Sequence, residues 1–530
     1  MLCCYAPFLF FHEPWSDEAQ AWQIARCASL YDILFTIPHY EGHPPLWHLI
    51  LVPFAKNGLP YEPCLKAINI AFSSLAVWVM LYKTKLADML KLFVPFTYFP
   101  FYQYGVISRP YSIMFLALML CAASYNKRNE KPAYYAASII LLCLSSAYGM
   151  AIACGLCIVW ILGAVRFDSI KRSLSDMAKS GVLAALTVIL AVAVILLICI
   201  LPSPDCYNNT LGSTKAHIAK SIVYAVFGTI YDATLGDTFG IDIGLSGVVL
   251  DANLIYIIPV SLLVWFGIII YGYKKRKLSD FIIPFVLLDL TFVIIRLGAH
   301  HVGIATLLII YWLCICADSP DAAEYKNVLL KNNTDILLMI LTAAAIAIQL
   351  IWSAMSVISD IRYNYSPSRE VGRFINENNI TYENNNVFAY NYYIFDKEKM
   401  YGLDQIVLLD YSIDMISFMP YVDSNIFGNF NHGKNEAAYL SNKLPESSEE
   451  YYSELEYIRS LGSPKYIFGS PRVIYKDMDD GTAKKYCQSG YDIDYIFTDH
   501  KYKLCRSVSV RMSFKGSSTL RYYDIYELAE

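Results

Sequence analysis

The chain has 530 residues, of which 56% are hydrophobic and only 17% are charged. Soluble proteins carry about 25% charged residues, so this composition favours a protein embedded in a lipid bilayer. The formal net charge of −4 gives no sign of the basic surface that a nucleic-acid-binding protein needs.

Apolar runs recur along the first two thirds of the chain. They lie near residues 64–82, 92–107, 109–125, 133–148, 149–165, 181–201, 254–272, 280–297, 302–317 and 336–354. A bilayer crossing takes about 20 apolar residues. Residues 1–11 are apolar but shorter, and we interpret them as the outer half of a first helix whose beginning precedes Met1. The sequence therefore predicts a polytopic α-helical membrane domain over residues 1–355, with about eleven transmembrane helices.

The charges of the connecting loops predict the orientation of these helices. One set of alternate loops holds sixteen Lys and Arg residues. The opposite set holds six, namely Arg26, Lys56, Arg109, Lys215, Lys220 and Arg296. Loops rich in Lys and Arg face the cytoplasm. We therefore expect a multi-pass protein of the cell membrane, with loop 13–63, loop 202–253 and the tail on the outer face. Apolar residues at helical spacing in loop 13–63 predict interfacial helices.

The tail over residues 360–530 has a different character, because it is polar and contains no run long enough to span a bilayer. It alternates helix-like stretches with short segments rich in β-forming residues. The predicted helices lie near 368–379 and 449–462, and the predicted strands near 386–395, 464–470, 492–499 and 520–528. The sequence predicts one extracytoplasmic soluble domain of α/β or α+β class. Cys487 and Cys505 could form a disulfide there if that compartment is oxidising, although spacing alone does not decide the pairing.

Ionisable residues near a bilayer are costly, and four groups of them fall on the predicted outer face. The groups are Asp17 and Glu18; Glu41 and His43; Arg109; and Arg296, His300 and His301. Each has a simpler interpretation: the acids can cap a helix, the Pro44-Pro45 segment can form an interfacial turn, and paired histidines are often polar filler. Together, the groups offer a base and cationic clamps for a phosphate at one membrane face.

The order of these motifs resembles the GT-C superfamily of membrane glycosyltransferases, specifically the glycosyltransferase family 39 type. That type includes protein O-mannosyltransferases and the transferase that adds aminoarabinose to lipid A. The resemblance lies in Asp17-Glu18-Ala19, in the segment from Glu41 to Leu46 (EGHPPL), and in Ser108-Arg109-Pro110-Tyr111 after an aromatic-rich stretch. It is clearest over residues 13–125.

The resemblance implies transfer of a sugar from a polyprenyl-phosphate donor to an acceptor lipid, glycan or protein on the outer face. Asp17, with Glu18, would be catalytic, Asp17 as the base, and a single base implies inversion at the anomeric carbon. Arg109 would bind the donor phosphate, with Arg296, His300 and His301 as further candidates. Glu41 and His43 would contact substrate or hold a divalent metal ion.

Two other functions remain open from the sequence. A transporter or flippase of lipid-linked sugars would also need outer Arg and His residues, and Asp289 lies within an apolar run. Transporters often contain internal repeats, and we find none. The chain could also be a membrane-anchored binding protein whose tail binds a ligand.

Overall fold

The structure is a computed structural model. It describes residues 5, 7–165, 169–206, 221–237, 242–244, 247–249, 254–295, 298–318, 333–384, 386–390, 394–395, 407–408, 413–429, 439, 453, 457, 460–469 and 502–529.

Helices dominate the first two thirds of the described chain. The α-helices are α1 Phe8–Phe11, α2 Ser16–Cys27, α3 Pro38–Glu41, α4 Leu46–Ala55, α5 Tyr61–Lys83, α6 Asp88–Phe93, α7 Tyr111–Ser124, α8 Pro132–Ser145, α9 Ala147–Ala164, α10 Ile170–Lys179, α11 Val182–Ile200, α12 Thr229–Thr234, α13 Leu254–Lys274, α14 Ser279–Ile294, α15 Gly303–Ala317, α16 Asn333–Arg362, α17 Ser368–Glu377 and α18 Ile413–Ile416. Shorter 3₁₀ turns are Val94–Phe96, Tyr125–Lys127, Ala299–His301 and Met419–Tyr421, and π-helical segments are Asp32–Thr36, Phe99–Val106 and Tyr224–Gly228.

Five of the described helices are long and apolar enough to cross a membrane. They are Tyr61–Lys83, Ala147–Ala164, Val182–Ile200, Ile255–Lys274 and Ile336–Arg362. Their outward faces are apolar: in α11, Leu190, Ile195 and Ile198 are each at least 60% exposed. Extended aliphatic surfaces of this kind are unfavourable in water and suit the hydrocarbon of a bilayer. The fold therefore fits a helical membrane protein, as the composition predicts.

The predicted number of eleven spans is wrong. Four of the predicted runs form α7, α8, α14 and α15, which have only 14, 14, 16 and 15 residues. The run at 92–107 divides into a 3₁₀ turn and a π-helical segment, each with a proline in its first two residues. Within residues 1–11, the described helix is the four-residue α1. Hydropathy registers apolar residues but not the turns and prolines that divide an apolar run into shorter elements.

The tail contains a small mixed sheet. Before the tail, β1 Asp242–Gly244 and β2 Gly247–Val249 form a separate pair in loop 202–253. The strands of the tail are β3 Val387–Tyr390, β4 Ile394–Phe395, β5 Val407–Leu408, β6 Tyr466–Gly469, β7 Tyr502–Phe514 and β8 Ser517–Leu528, of which β4 and β5 form a separate pair. The four-stranded sheet has the order β3-β6-β8-β7, in which β3 and β6 are parallel and the other pairs antiparallel. The predicted strands at β3, β6 and β8 are confirmed. The long strand β7 was not predicted, and the strand predicted near 492–499 lies outside the described residues.

The described part of the tail packs on loop 13–63. Val371, Phe468 and Ile525 of the tail share one buried apolar cluster with Trp22 and Leu51 of the loop. Loop and tail therefore form one packed unit, and the membrane face that the charge count assigns to them stays a prediction.

Two arginines extend this contact with polar bonds. Arg26 donates hydrogen bonds to the carbonyl oxygens of Met419 and Val422, at 3.2 and 3.0 Å. Arg369, at the start of α17, donates to both carboxylate oxygens of Glu62 at 2.8 and 2.7 Å. A bidentate Arg–carboxylate bond is directional as well as strong, so it fixes the angle at which the tail meets α5.

The turn between β7 and β8 reaches into the helix bundle. Lys515 occupies this turn with a φ of 47° and is only 3% exposed. Its Nζ donates to the carbonyl oxygens of Asp232 and Gly236, at 3.0 and 2.9 Å. Asp232 lies in the last turn of α12, and Gly236 lies just after the helix. Carbonyls at the C-terminal end of a helix lack partners within the helix and attract cations. The hairpin thus anchors the sheet of the tail in the bundle.

We expect Lys515→Ala to weaken this anchor. The change leaves two buried carbonyl oxygens without their donor, which costs about 1–3 kcal/mol. The measurement is the thermal midpoint and the rate of proteolytic cleavage within the tail of the purified full chain. Lys503→Ala, at an exposed position of β7, is the control. Equal protease resistance of the two variants would contradict the anchoring role.

Candidate functional site

The site begins at the N-terminal end of α2, where two acids follow the capping residue Trp15. Glu18 is fully buried. Its carboxylate accepts hydrogen bonds from the backbone N–H groups of Trp15 and Ser108, at 3.1 and 2.6 Å. It therefore caps α2 and ties it to the segment before α7. This environment suits a positioning residue, and the catalytic role that the resemblance gives to Glu18 stays a prediction.

Asp17, which precedes Glu18 in the helix, has a different partner. Its carboxylate forms an ion pair with Arg109, whose side chain is 12% exposed, whereas that of Asp17 is 34% exposed. The Arg109 guanidinium lies 5.9 Å from the ring centroid of Trp15 and 5.7 Å from that of Tyr111. Two aromatic rings thus hold the cation in place. The acid and the cation that the sequence assigns to one face are in direct contact.

The EGHPPL segment lies beside this pair. Gly42, with a φ of 66°, ends α3 in a left-handed conformation that favours glycine. Glu41 accepts a hydrogen bond from Gln20 at 3.1 Å. Burial raises the pKa of Glu41 to about 7, although the bond from Gln20 and the charge of Arg109 oppose the shift. Burial and the charge of Arg109 lower the pKa of His43 to about 4, so this imidazole is neutral at pH 7.

Among the described residues there is no group of three or more His, Cys, Asp and Glu side chains that could hold a metal ion. Glu41 and His43 therefore have no third ligand of these types there, whereas a protein-bound transition-metal ion such as Zn²⁺ usually takes at least three. The metal site remains a prediction from the resemblance.

The two histidines of the Ala299–His301 turn have different surroundings. The ring of His300 lies 6.2 Å from that of Trp15 and 6.4 Å from that of Tyr111, so it borders the Asp17–Arg109 pair. His301 is 9% exposed and accepts a hydrogen bond from the Gly298 N–H at 3.0 Å. It serves to close the turn. Arg296, the other predicted phosphate ligand of this group, lies outside the described residues.

A buried histidine beside Glu18 was not predicted from the sequence. His12 is fully buried, with Nε2 3.2 Å from Glu18 Oε2 and Nδ1 2.8 Å from Asp360 Oδ2. Burial alone would lower the pKa of His12, but the charges of Glu18 and Asp360 raise it to about 9. Tyr102 donates a further bond to Asp360 at 2.8 Å. A protonated imidazole between two carboxylates thus joins α1, α2 and the end of α16.

Two further predictions concern Asp289 and the pairing of Cys487 with Cys505. Asp289 is 7% exposed within α14. Cys505 lies in β7, but Cys487 lies outside the described residues, so the proposed disulfide cannot be described.

No protein-family model, curated protein or solved structure matches the chain. The interpretation of the site therefore depends on its own geometry and chemistry.

Glu41 provides a test of these electrostatics that does not depend on an assay of activity. Because the folded pKa of this carboxyl is raised, the folded state holds a proton that the unfolded state releases between about pH 4.5 and 7. Glu41 thus stabilises the fold below this range relative to above it. We expect Glu41→Gln to exceed the wild type in thermal midpoint at pH 8 by on the order of 2 °C, with no gain at pH 5. Glu377→Gln, which removes an exposed carboxylate, controls for loss of surface charge. A Glu41→Gln difference that is constant with pH would contradict the raised pKa.

Proposed function

We propose that the chain is a GT-C-like membrane glycosyltransferase of the family 39 type. It moves a sugar from a polyprenyl-phosphate donor to a hydroxyl group of an acceptor lipid, glycan or protein on the outer face of the cell membrane. The observation that carries the proposal is the Asp17–Arg109 pair, which lies among Glu41, His43 and His300 at the face of the bundle that the tail covers.

The chemistry follows from these groups. The acceptor oxygen bonds to the anomeric carbon as the bond from that carbon to the phosphate oxygen breaks. Asp17 takes the hydroxyl proton, and the polyprenyl phosphate leaves with the bonding electrons. Its charge is met by Arg109, the guanidinium of which suits bidentate binding of phosphate oxygens. Attack from the side opposite the leaving phosphate, without a covalent intermediate, inverts the anomeric carbon.

The pairing of base and cation has a mechanistic consequence. Arg109 forms an ion pair with the carboxylate of Asp17. A donor phosphate competes for the same guanidinium and, when bound, releases Asp17 to accept a proton. Donor binding would thereby activate Asp17 as a base, so that Asp17 takes a proton from the acceptor hydroxyl only when the donor sugar is bound.

The test is an assay of the purified full chain in liposomes that contain polyprenyl-phosphate-linked sugars. Envelope extract supplies acceptors, and the readouts are free polyprenyl phosphate and labelled product. We expect both to appear only with the chain present. A flippase would instead make the sugar accessible in the other leaflet with the donor intact, and a binding protein would retain the donor unchanged. Either result would overturn the proposal.

A further inference from the structure

Helix α10, Ile170–Lys179, lies between two of the helices that are long enough to cross a membrane. These are α9 before it and α11 after it. A segment between two consecutive membrane-spanning helices lies near a surface of the bilayer, because the chain leaves the hydrocarbon there and enters it again. Helix α10 is therefore placed where both lipid headgroups and water are within reach.

The side chains of α10 fall on three faces, because neighbouring positions of a helix are rotated by about 100°. On the first face, Ser173 and Met177 are each 5% exposed, and Met177 packs in the apolar core of the bundle. On the second face, Ile170 and Leu174 lie one turn apart and are 53% and 46% exposed. The third face is polar and presents the exposed residues Lys171, Arg172, Ser175, Asp176 and Lys179.

The second face indicates what the helix contacts. Neighbouring aliphatic side chains that stay half exposed are unfavourable in water, whereas on an amphipathic helix at a membrane they enter the boundary between headgroups and acyl chains. Lys171 follows Ile170 and borders this face, so its aliphatic stem can lie along the boundary while its ammonium group meets lipid phosphates. Arg172 and Lys179 outweigh the acid Asp176 and give the polar face a positive potential that attracts anionic lipid.

Further basic residues lie at the same end of the bundle. A side chain at Gly181, in the turn between α10 and α11, would begin 3.5 Å from Cγ of Pro132. The exposed residues Lys127 and Lys131 precede Pro132, and the acid between them is Glu130. The positive charge of α10 is therefore extended by the neighbouring segment.

This basic end is separated from the candidate site by the length of α7. That helix begins at Tyr111, close to Arg109, and ends at Ser124, directly before the turn that contains Lys127. Its 14 residues span about 21 Å. The excess of positive charge therefore meets different surroundings from those of the Asp17–Arg109 pair.

We propose that α10 is an interfacial helix that binds anionic phospholipid at the end of the bundle opposite the candidate site. Ile170 and Leu174 enter the boundary of the acyl chains, and Lys171 binds the lipid phosphate. The other basic residues of this end raise the local concentration of anionic lipid. The proposal does not depend on sugar transfer, since it concerns only the contact between the chain and the bilayer.

The experiment places the photoreactive residue p-benzoyl-L-phenylalanine at position 174 of the full chain, in nanodiscs that mix phosphatidylcholine with phosphatidylglycerol. After irradiation, intact-mass spectrometry identifies the lipid that is joined to the chain, and we expect phospholipid adducts. Position 176 is the matched control, because it lies about 160° away on the same helix, and its adducts are expected to be lost. Replacement of Asp176 removes an acid, so it does not itself weaken contact with an anionic lipid. Thermal midpoints verify that both variants fold.

The preference for charge is measured on the same adducts. From position 174, the ratio of phosphatidylglycerol to phosphatidylcholine adducts should exceed the ratio of the two lipids in the bilayer. Lys171→Gln is expected to lower the adduct ratio about fivefold, which is the contribution of one basic residue at an anionic surface, and raised salt should lower it as well. Lys503→Gln, which removes an exposed cation of the tail, is the control and should leave the ratio unchanged.

The other outcomes overturn the proposal. Equal adduct yields from positions 174 and 176, or none from position 174, would show that this face of α10 does not enter the bilayer. Adducts without a preference for phosphatidylglycerol, or a preference that Lys171→Gln leaves intact, would show that α10 does not bind anionic lipid. Adducts to a second copy of the chain in place of lipid would assign the face to a protein contact. A failed assay of sugar transfer changes none of these readouts, so the two proposals fail separately.

Discussion

Asp17→Asn is expected to lower the rate of sugar transfer by about 10²–10⁴-fold, the usual contribution of a positioned general base. Asparagine has nearly the same size as aspartate, and its side-chain oxygen can still accept a hydrogen bond from Arg109. The local geometry should therefore survive, while the negative charge and the ability to take a proton are lost. The measurement is the initial rate of product formation from a polyprenyl-phosphate donor in liposomes.

The control for this change is Asp32→Asn in the same loop. Asp32 bonds locally to Ser29 and Thr36 at 2.6 and 3.1 Å, away from the Asp17–Arg109 pair. We expect this variant to keep the wild-type rate. Asp17→Glu, which retains a carboxylate at a shifted position, should recover part of the activity. If Asp17→Asn transfers sugar as fast as the wild type, Asp17 is not the base.

The grouping of the site residues was accessible from sequence for a physical reason. The Lys and Arg bias of the loops decides which segments share a membrane face. That bias predicts one side for Asp17, Glu41, Arg109 and His300, and in the structure Glu41 and His300 lie near the Asp17–Arg109 pair. The number of groups that meet on a membrane face is small, so a shared side limits their separation far more than it would in a soluble protein.

The contacts within the site were not accessible in the same way. The hydrogen bond between His12 and Asp360 joins residues 348 positions apart, and neither residue lies in a recognisable motif. The same holds for Lys515, which no local pattern assigns to the interior of the bundle. The different surroundings of Asp17 and Glu18, which are adjacent in sequence, follow from the 100° rotation between neighbouring positions on a helix. Only the packing of α2 decides which of the two is buried.

The two halves of the chain also differ in how far a pattern determines the fold. Hydropathy identifies apolar segments strongly, but the prolines near residues 95 and 100 divide one run, and several other runs form helices shorter than a bilayer crossing. In the tail, alternation identifies β3, β6 and β8. It missed β7, where Lys503, Arg506 and Arg511 interrupt the apolar pattern expected of a strand.

His12→Gln is expected to lower the stability of the protein by about 3 kcal/mol at neutral pH. The variant removes the cation between the carboxylates of Glu18 and Asp360, and glutamine can donate to them without carrying a charge. Because the pKa of His12 rises from 6.5 to about 9 on folding, its stabilising effect is complete below about pH 6.5 and is lost as the pH rises through 9. A shift of this size corresponds to about 3 kcal/mol.

The wild type should therefore lose thermal stability between pH 6.5 and 9 more steeply than His12→Gln, and the two curves should converge near pH 9.5. The measurement is the thermal midpoint of the purified chain in detergent across this range. His39→Gln is the control, because His39 is partly exposed and bonds only to the Leu201 carbonyl oxygen among its described hydrogen bonds, at 2.6 Å. Since Glu18 also positions the backbone before Arg109, we further expect His12→Gln to reduce sugar transfer at a temperature where it remains folded. Parallel curves for His12→Gln and wild type would show that the imidazole is not held in its charged form.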